Sequence, residues 1–171
     1  MSILIDGFNL IYKFPELEEL MYNDRLVDAR KGLLQKLKEY VKITGSHIRV
    51  VFDGKKEMGL DIRSERFGTI DVYYSLDYSA DFLIKEFVKK DINPRMVTVV
   101  TSDKDIISFV TRYRAKVQTS DKFAEYINTK IEKHLEAQIP EKEENPILSE
   151  EELLFWEGLF QKGNSKDLQE R

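Results

Sequence analysis

The sequence predicts an α/β fold, a mostly parallel central sheet with helices on both faces. Two observations carry that expectation. Short, largely apolar runs such as Ile3–Ile5, Ile48–Phe52 and Met96–Thr101 lack strict in–out alternation, as strands covered on both faces do. Between such runs lie segments whose apolar residues recur at helical spacing. Regular strand–helix alternation of this kind implies parallel strands joined by helical crossovers.

Taken in order, Ile3–Ile5 is the first strand. A helix is expected over Leu26–Val41, with Leu26, Leu33, Leu37, Tyr40 and Val41 at helical spacing, broken by Gly45-Ser46. Ile48–Phe52 is the second strand and Ile70–Ser75 the third. Ser79 is placed to cap a helix from Ala80 to about Lys90, and Asn93-Pro94 makes a turn. Met96–Thr101 is the fourth strand; a helix carrying Ile106, Ile107, Phe109, Val110 and Tyr113 follows. Ala115–Thr119 is the fifth strand, and Phe123, Ile127, Ile131 and Leu135 then recur every fourth residue on one helix face. The acidic, proline-flanked stretch from Pro140 to Pro146 reads as a linker. Ser149 and Glu152 have capping-box spacing and open a last helix with Leu153, Leu154, Trp156, Leu159 and Phe160, which Gly163 is placed to end. That helix is too short to be a domain and would dock on the core or on a partner.

The 171 residues suit one domain plus an appendage, and 42% hydrophobic content with 10 Phe and 8 Tyr supplies one sizeable core. The absence of cysteine excludes disulfides, thiolate zinc sites and a Cys nucleophile. The start has no signal-peptide pattern, and no apolar run approaches a membrane span. A cytoplasmic protein without a membrane partner is expected. The net charge of −4 lacks the basic footprint of a typical nucleic-acid binder. Much of the acidity, however, falls in Glu141–Glu152, and basic clusters remain at Lys36/Lys38, Lys55/Lys56, Lys89/Lys90 and Arg112/Arg114/Lys116. Each cluster also reads as an ordinary solvated face.

Acids recur where strands end. Asp6 follows the first strand, Asp53 the second, Asp77 and the helix-start Asp81 the third, Asp103 and Asp105 the fourth, and Asp121 the fifth. In a parallel sheet these positions share the carboxyl edge, where ligands bind. Crowded carboxylates raise one another's pKa and call for a counter-charge, either basic side chains or a divalent metal. An oxygen-only donor set favours Mg2+ or Mn2+ over Zn2+, and His47 and His134 fall away from this edge. Such a site suits phosphate esters, the ion activating water and stabilising the leaving oxygen. Neither a P-loop nor a G-x-G-x-x-G motif occurs, so phosphodiester hydrolysis fits better than nucleotide-driven work. Taken singly, the same residues also suit structural roles, Asp103 and Asp121 as helix caps and Asp77 in a loop.

Three stretches together go further. "LIDGFNLI" at Leu4–Ile11, "VVFDG" at Val50–Gly54 with "SADFLI" at Ser79–Ile84, and "VVTSDKDI" at Val99–Ile106 resemble NYN domains of the PIN-like nuclease superfamily, most of all the YacP-like NYN ribonucleases. The resemblance covers roughly residues 2 to 135, and the C-terminal capping-box helix is similar to the tail of that family. It implies a three-layer α/β/α PIN-like domain over residues 1–139, an acidic linker over 140–148 and a C-terminal helix and tail over 149–171. It also implies a Mg2+- or Mn2+-dependent endoribonuclease. Asp6, Asp81 and Asp103 would be catalytic and hold the metal, with Asp105 a further acidic ligand. Asn9, Arg30, Ser102 and Lys104 would contact substrate, and Asp53 and Asp121 would support the site. RNA, mRNA in particular, is the implied partner, with ribosome association a further implication; no DNA preference follows, and the oligomeric state stays open.

One residue departs from the pattern. Relatives often carry two acids at the helix start, whereas here Asp81 is followed by Phe82. That motivates a second reading, a non-catalytic RNA- or ribosome-binding module of the same fold. A third is a metal-dependent phosphatase or receiver-type domain, against which the single acid after strand one counts. Lys55, Lys56, Arg63 and Arg66, following strand two, are expected on the acid-bearing edge with Lys104, within reach of RNA phosphates.

Overall fold

β1 (Ser2–Asp6) runs without a loop into α1 (Gly7–Ile11), followed by α2 (Pro15–Tyr22) and α3 (Leu26–Thr44). Next come β2 (His47–Phe52), a two-residue pair β3 (Lys56–Glu57) and β4 (Leu60–Asp61), then β5 (Ser64–Phe67) and β6 (Ile70–Tyr74). The chain continues through α4 (Ala80–Lys90), a 3-10 turn at Pro94–Met96, β7 (Val97–Val100), α5 (Lys104–Arg112), β8 (Lys116–Gln118), α6 (Ser120–Gln138) and α7 (Glu150–Asp167). This computed structural model describes residues 1–54, 56–57, 60–140 and 149–167.

The main sheet has the order β5-β6-β2-β1-β7-β8. Every neighbouring pair is parallel except β5 with β6. From β1 the chain builds outward through β2 and β6, then crosses to β7 and β8 on the other side. The carboxyl ends of β1 and β7 therefore flank the point where strand order reverses, the place where such sheets bind ligands.

Alternate residues of β1 point to opposite faces, and both faces are covered, which is why the strand is apolar throughout. Ile3 and Ile5 join Leu33, Leu37 and Tyr40 of α3 and Phe123 and Ile127 of α6 in one core. Leu4 joins Ile84 and Val88 of α4 and Ile106 and Val110 of α5 in the other. The result is a three-layer α/β/α arrangement. Ser79 caps α4 by accepting from Phe82 N–H, and Gly45 closes α3 at φ +67°, the left-handed conformation that glycine adopts without strain.

Three features escape the sequence reading. α1 is only five residues long and α2 is largely polar, although Pro15 at its first position and Glu16 and Glu18 in its first turn are start signals. β5 turns back antiparallel on β6, which carries Arg66 away from the acidic edge to an ion pair with Asp71, 3.3 Å away, at the start of β6. α7 opens with the expected capping box, Ser149 and Glu152 exchanging hydrogen bonds of 3.0 and 3.2 Å, but it runs through Gly163 to Asp167. Glycine inside a helix costs about 1 kcal/mol without ending it.

The chain divides into two compact units, Met1–Ala137 and Gln138–Arg171. Residues 141–148, most of the expected acidic linker, lie outside the described residues, as does Lys55. Among the described residues no helix is long and apolar enough to cross a membrane.

Gly7 marks how tightly β1 turns into α1. A Cβ there would stand 2.4 Å from the Phe52 ring and 2.9 Å from the Val51 carbonyl oxygen. Because Phe52 is fully buried, it has little room to yield. Gly7→Ala is expected to destabilise by about 2–3 kcal/mol through overpacking, read as a lowered denaturant midpoint at unchanged slope.

Candidate functional site

Asp6 ends β1 at the switch point, and burial there sets its chemistry. Its carboxyl is pushed up from 3.8 to about 6, chiefly by loss of solvent. The Thr101 hydroxyl, donating to Oδ2 at 3.1 Å, pulls it back. The neighbouring carboxylates of Asp53 and Asp103 raise it further, and the Asn9 backbone N–H lowers it slightly. Three acids from three strand ends thus act on one another electrostatically.

Asp53 and Asp103 each commit one oxygen to the fold. Asp53 Oδ1 accepts from Ala80 N–H at 2.6 Å, binding the start of α4 to the end of β2. Asp103 Oδ1 caps α5, accepting from Asp105 and Ile106 N–H at 2.8 and 3.2 Å. Thr101 is fully buried and joins the two sides of the site: its hydroxyl donates to Asp6 and accepts from Asp103 N–H at 3.1 Å.

Asp81 and Asp105 form a second group around Lys85. The ammonium lies 2.6 Å from Asp105 Oδ2 and 3.1 Å from Asp81 Oδ1. It holds the Asp105 carboxyl below the usual range, and the hydrogen bond that the ammonium donates to Asp105 raises the lysine in turn. The contact to Asp81 Oδ1 is off hydrogen-bonding direction, so this buried oxygen has no hydrogen bond from any described residue; the bond that Lys85 does make is to Oδ2, at 3.4 Å. Among the described residues, no three of His, Cys, Asp or Glu stand close enough together to hold a metal ion. The donor chemistry nonetheless fits a hard divalent cation. The donors are all carboxylate oxygens, Asp81 Oδ1 lacks a hydrogen bond, and the charge of Asp6 is disfavoured by burial and by two like neighbours. In this conformation the cation among these acids is Lys85.

The remaining expected residues have definite places. Asn9, in α1, accepts from Ser102 N–H at 2.9 Å and from the Ser120 hydroxyl at 2.6 Å. Ser102 Oγ in turn accepts from Ser120 N–H at 3.1 Å. Three chain segments are thereby tied together beside Asp6. Arg30 is buried, its guanidinium 5.7 Å from the centre of the Tyr74 ring and thus turned away from solvent. Lys104 is exposed in the first turn of α5. Asp121, in the first turn of α6, is ion-paired with Lys13 at 3.1 Å. His47 stands at the opposite edge beside Asp71, and His134 lies on α6.

Thr101, Ser120 and Lys85 were not singled out by the sequence. Lys85 had a signal, since it follows Asp81 by four residues on a helix. Thr101 and Ser120 had none, because the side chains they serve, Asp6 and Asn9, are remote in the chain.

Residues 3–159 match the family described as YacP-like NYN domain. The protein YacP of Bacillus subtilis (strain 168), described as uncharacterized, is 31% identical over 102 residues. That match spans 59% of this chain and 59% of the relative's length. A crystal structure of Rae1 (YacP) from Bacillus subtilis superposes with a TM-score of 0.63 at 26% identity, covering 99% of this chain and 97% of that one. A tryptophan-to-leucine mutant of the same protein gives 0.65 at 25% identity, covering 86% of each chain. With its order of strands, its three layers and its acids at the switch point, the chain belongs to the YacP-like NYN domain family, a nuclease-type domain of PIN-like fold.

Proposed function

We propose that this chain is a cytoplasmic, metal-dependent endoribonuclease that hydrolyses RNA phosphodiester bonds, with mRNA on ribosomes its target. The observation that carries this reading is the meeting of three strand-end acids at the switch point, where burial first, and then the charges of Asp53 and Asp103, push Asp6 to about 6. An isolated fold gains nothing from carboxylates arranged against one another; a site for a divalent cation and a phosphate does. Asp6, Asp81 and Asp103 would hold Mg2+ or Mn2+, with Asp105 as a further ligand. When bound, the ion would supply Lewis-acid stabilisation of the phosphodiester and activation of water. The chain's own residues orient this machinery: Thr101 fixes Asp6 and Asn9 fixes Ser102, and Lys104 and Ser102 would contact the substrate phosphates.

The test is cleavage of a long mRNA, free and on translating ribosomes, with Mg2+ or Mn2+, comparing wild type with Asp6→Asn. Cleavage by the wild type alone supports the reading; equal cleavage by both removes Asp6 from the site. A second reading, a non-catalytic RNA-binding module, is favoured by Phe82 at the second-acid position and by Lys85 among the acids. It requires RNA binding that weakens with salt and no cleavage with either metal.

Lys85 gives a separate check. With its ammonium removed, the Asp81 and Asp105 carboxylates lose a competing cation. Lys85→Met is expected to tighten Mn2+ binding roughly tenfold, on the scale of one charge within a few ångströms at a partly exposed site. Calorimetric titration with Mn2+ measures it, and unchanged affinity would separate Lys85 from the metal site.

A further inference from the structure

One residue beyond Asp81, the helix start carries an aromatic side chain left exposed to solvent. Phe82 is 46% exposed, and it stacks on Tyr78, itself 69% exposed. The ring centres are 5.0 Å apart and the planes 19° from parallel. A position in the first turn of a helix favours an acid through the macrodipole; here the chain presents a phenylalanine instead. The two rings line a cleft of about 520 Å³ between the end of β6 and α4, with Arg63 on its wall. That volume lies in the range of small-ligand pockets.

The cleft is built onto the acidic edge rather than merely near it. Ser75 N–H donates to the Phe52 carbonyl at 3.0 Å, and Leu76 N–H donates to the Gly54 carbonyl at 3.1 Å. Gly54 N–H donates to Ser75 Oγ at 3.0 Å, and Asp53 holds Ala80 N–H. Leu76 sits at φ +54°, uncommon for a side chain of this size. The loop that presents Tyr78 is therefore fixed against the strand end that carries Asp53.

We infer that this cleft is a nucleobase subsite, in which a base of single-stranded RNA next to the reacting phosphate continues the Tyr78–Phe82 stack. This rests on the ribonuclease reading above. Planar, exposed, near-parallel rings suit the face of any base, and stacking of this kind is worth about 1–3 kcal/mol per base. The Arg63 guanidinium suits the adjoining phosphate or the base plane. The Asp77 carboxylate, also on the wall, opposes phosphate there, so the rings rather than net charge carry the binding. A base inside a duplex has both faces covered, so the subsite selects single strands.

The experiment measures binding of a fluorescein-labelled single-stranded RNA of about ten nucleotides in the Asp6→Asn background, where cleavage is blocked. Phe82→Ala and Phe82→Leu are each expected to weaken binding about 5–150-fold, the equivalent of one lost stack, and Phe82→Trp to retain it. Tyr78→Ala should weaken it similarly. The same sequence as a duplex should bind weakly and without regard to Phe82. Abasic substitution along the strand should find one position whose loss matters in the Phe82 protein and not in the Phe82→Ala variant. Cleavage by wild type, with binding indifferent to both rings, overturns the subsite and leaves the nuclease reading standing. Ring-dependent binding by a wild type that cleaves nothing keeps the subsite and removes the nuclease. Failure to bind the free single strand at all overturns the subsite and leaves the nuclease reading to the cleavage test on ribosomes.

Discussion

Asp6→Asn is expected to abolish cleavage while making the protein more stable at neutral pH. The loss of activity should be roughly a thousandfold or more, the scale of removing a principal transition-state-stabilising group. The gain in stability follows from the carboxyl that burial pushes from 3.8 to about 6. Below about pH 4 the folded and unfolded states both carry it protonated, and nothing is lost. As pH rises through 6, the unfolded chain has already released this proton while the folded chain must ionise Asp6 against burial, Asp53 and Asp103. Stability therefore falls between about pH 4 and pH 6, by about 3 kcal/mol for a shift of roughly two units. Asparagine does not ionise, so the variant lacks that slope and should melt roughly 5–10 °C higher at pH 7.5 without metal. Added Mn2+ should raise the melting temperature of the wild type and not of the variant. Identical pH–stability curves for the two proteins would remove the buried-charge account of Asp6.

Asn9→Ala is expected to cost about 2–4 kcal/mol, an unusually large effect for a residue so close to the substrate side of the fold. Its side-chain oxygen satisfies Ser102 N–H and the hydroxyl of the fully buried Ser120. Truncation leaves both donors without that acceptor, in a place that water reaches poorly. Asn9→Asp keeps an acceptor in place, and Asn9→Ser shortens it. Urea denaturation should therefore rank wild type above Asn9→Asp and Asn9→Ser above Asn9→Ala. Equal midpoints for Asn9→Ala and wild type would mean the two serines find other partners. Cleavage by Asn9→Asp should fall although most of its stability is kept, because a fourth carboxylate is added beside Asp6. That split separates positioning of the site from maintenance of the fold.

The pattern of strands and helices was open to reading because it is local. Ile3–Ile5, Ile48–Phe52 and Ile70–Tyr74 are strands whose isoleucine, leucine, valine and Phe52 side chains are all buried, and a helix such as α3 announces itself by its own spacing. Ser79 before Ala80, and Ser149 with Glu152, are caps satisfied within one turn of chain. An acid after each strand of a parallel sheet comes to the carboxyl edge by geometry alone, so Asp6, Asp53 and Asp103 could be named together before their distances were known.

What those residues do beside one another was decided by contacts the chain makes across long separations. The reversal of β5 sends Arg66 to the far edge, a matter of strand direction that its own sequence does not state. Arg30, basic and expected on the substrate side, is instead buried against Tyr74. Lys85 reaches Asp105 from another helix, and Ser120 reaches Asn9 from 111 residues away. Phe82, read as a missing acid, is one half of an exposed aromatic stack. Periodicity and capping act within a few residues, so most strands and helices, the faces they bury and the edge that collects the acids are legible in the sequence, whereas α1, α2 and the reversal of β5 are not. Which acid loses its solvent, which is paired to a lysine and what stands beside them are set by contacts in the folded chain. Solvent exclusion and charge pairing depend on neighbours in space, not on neighbours in the chain.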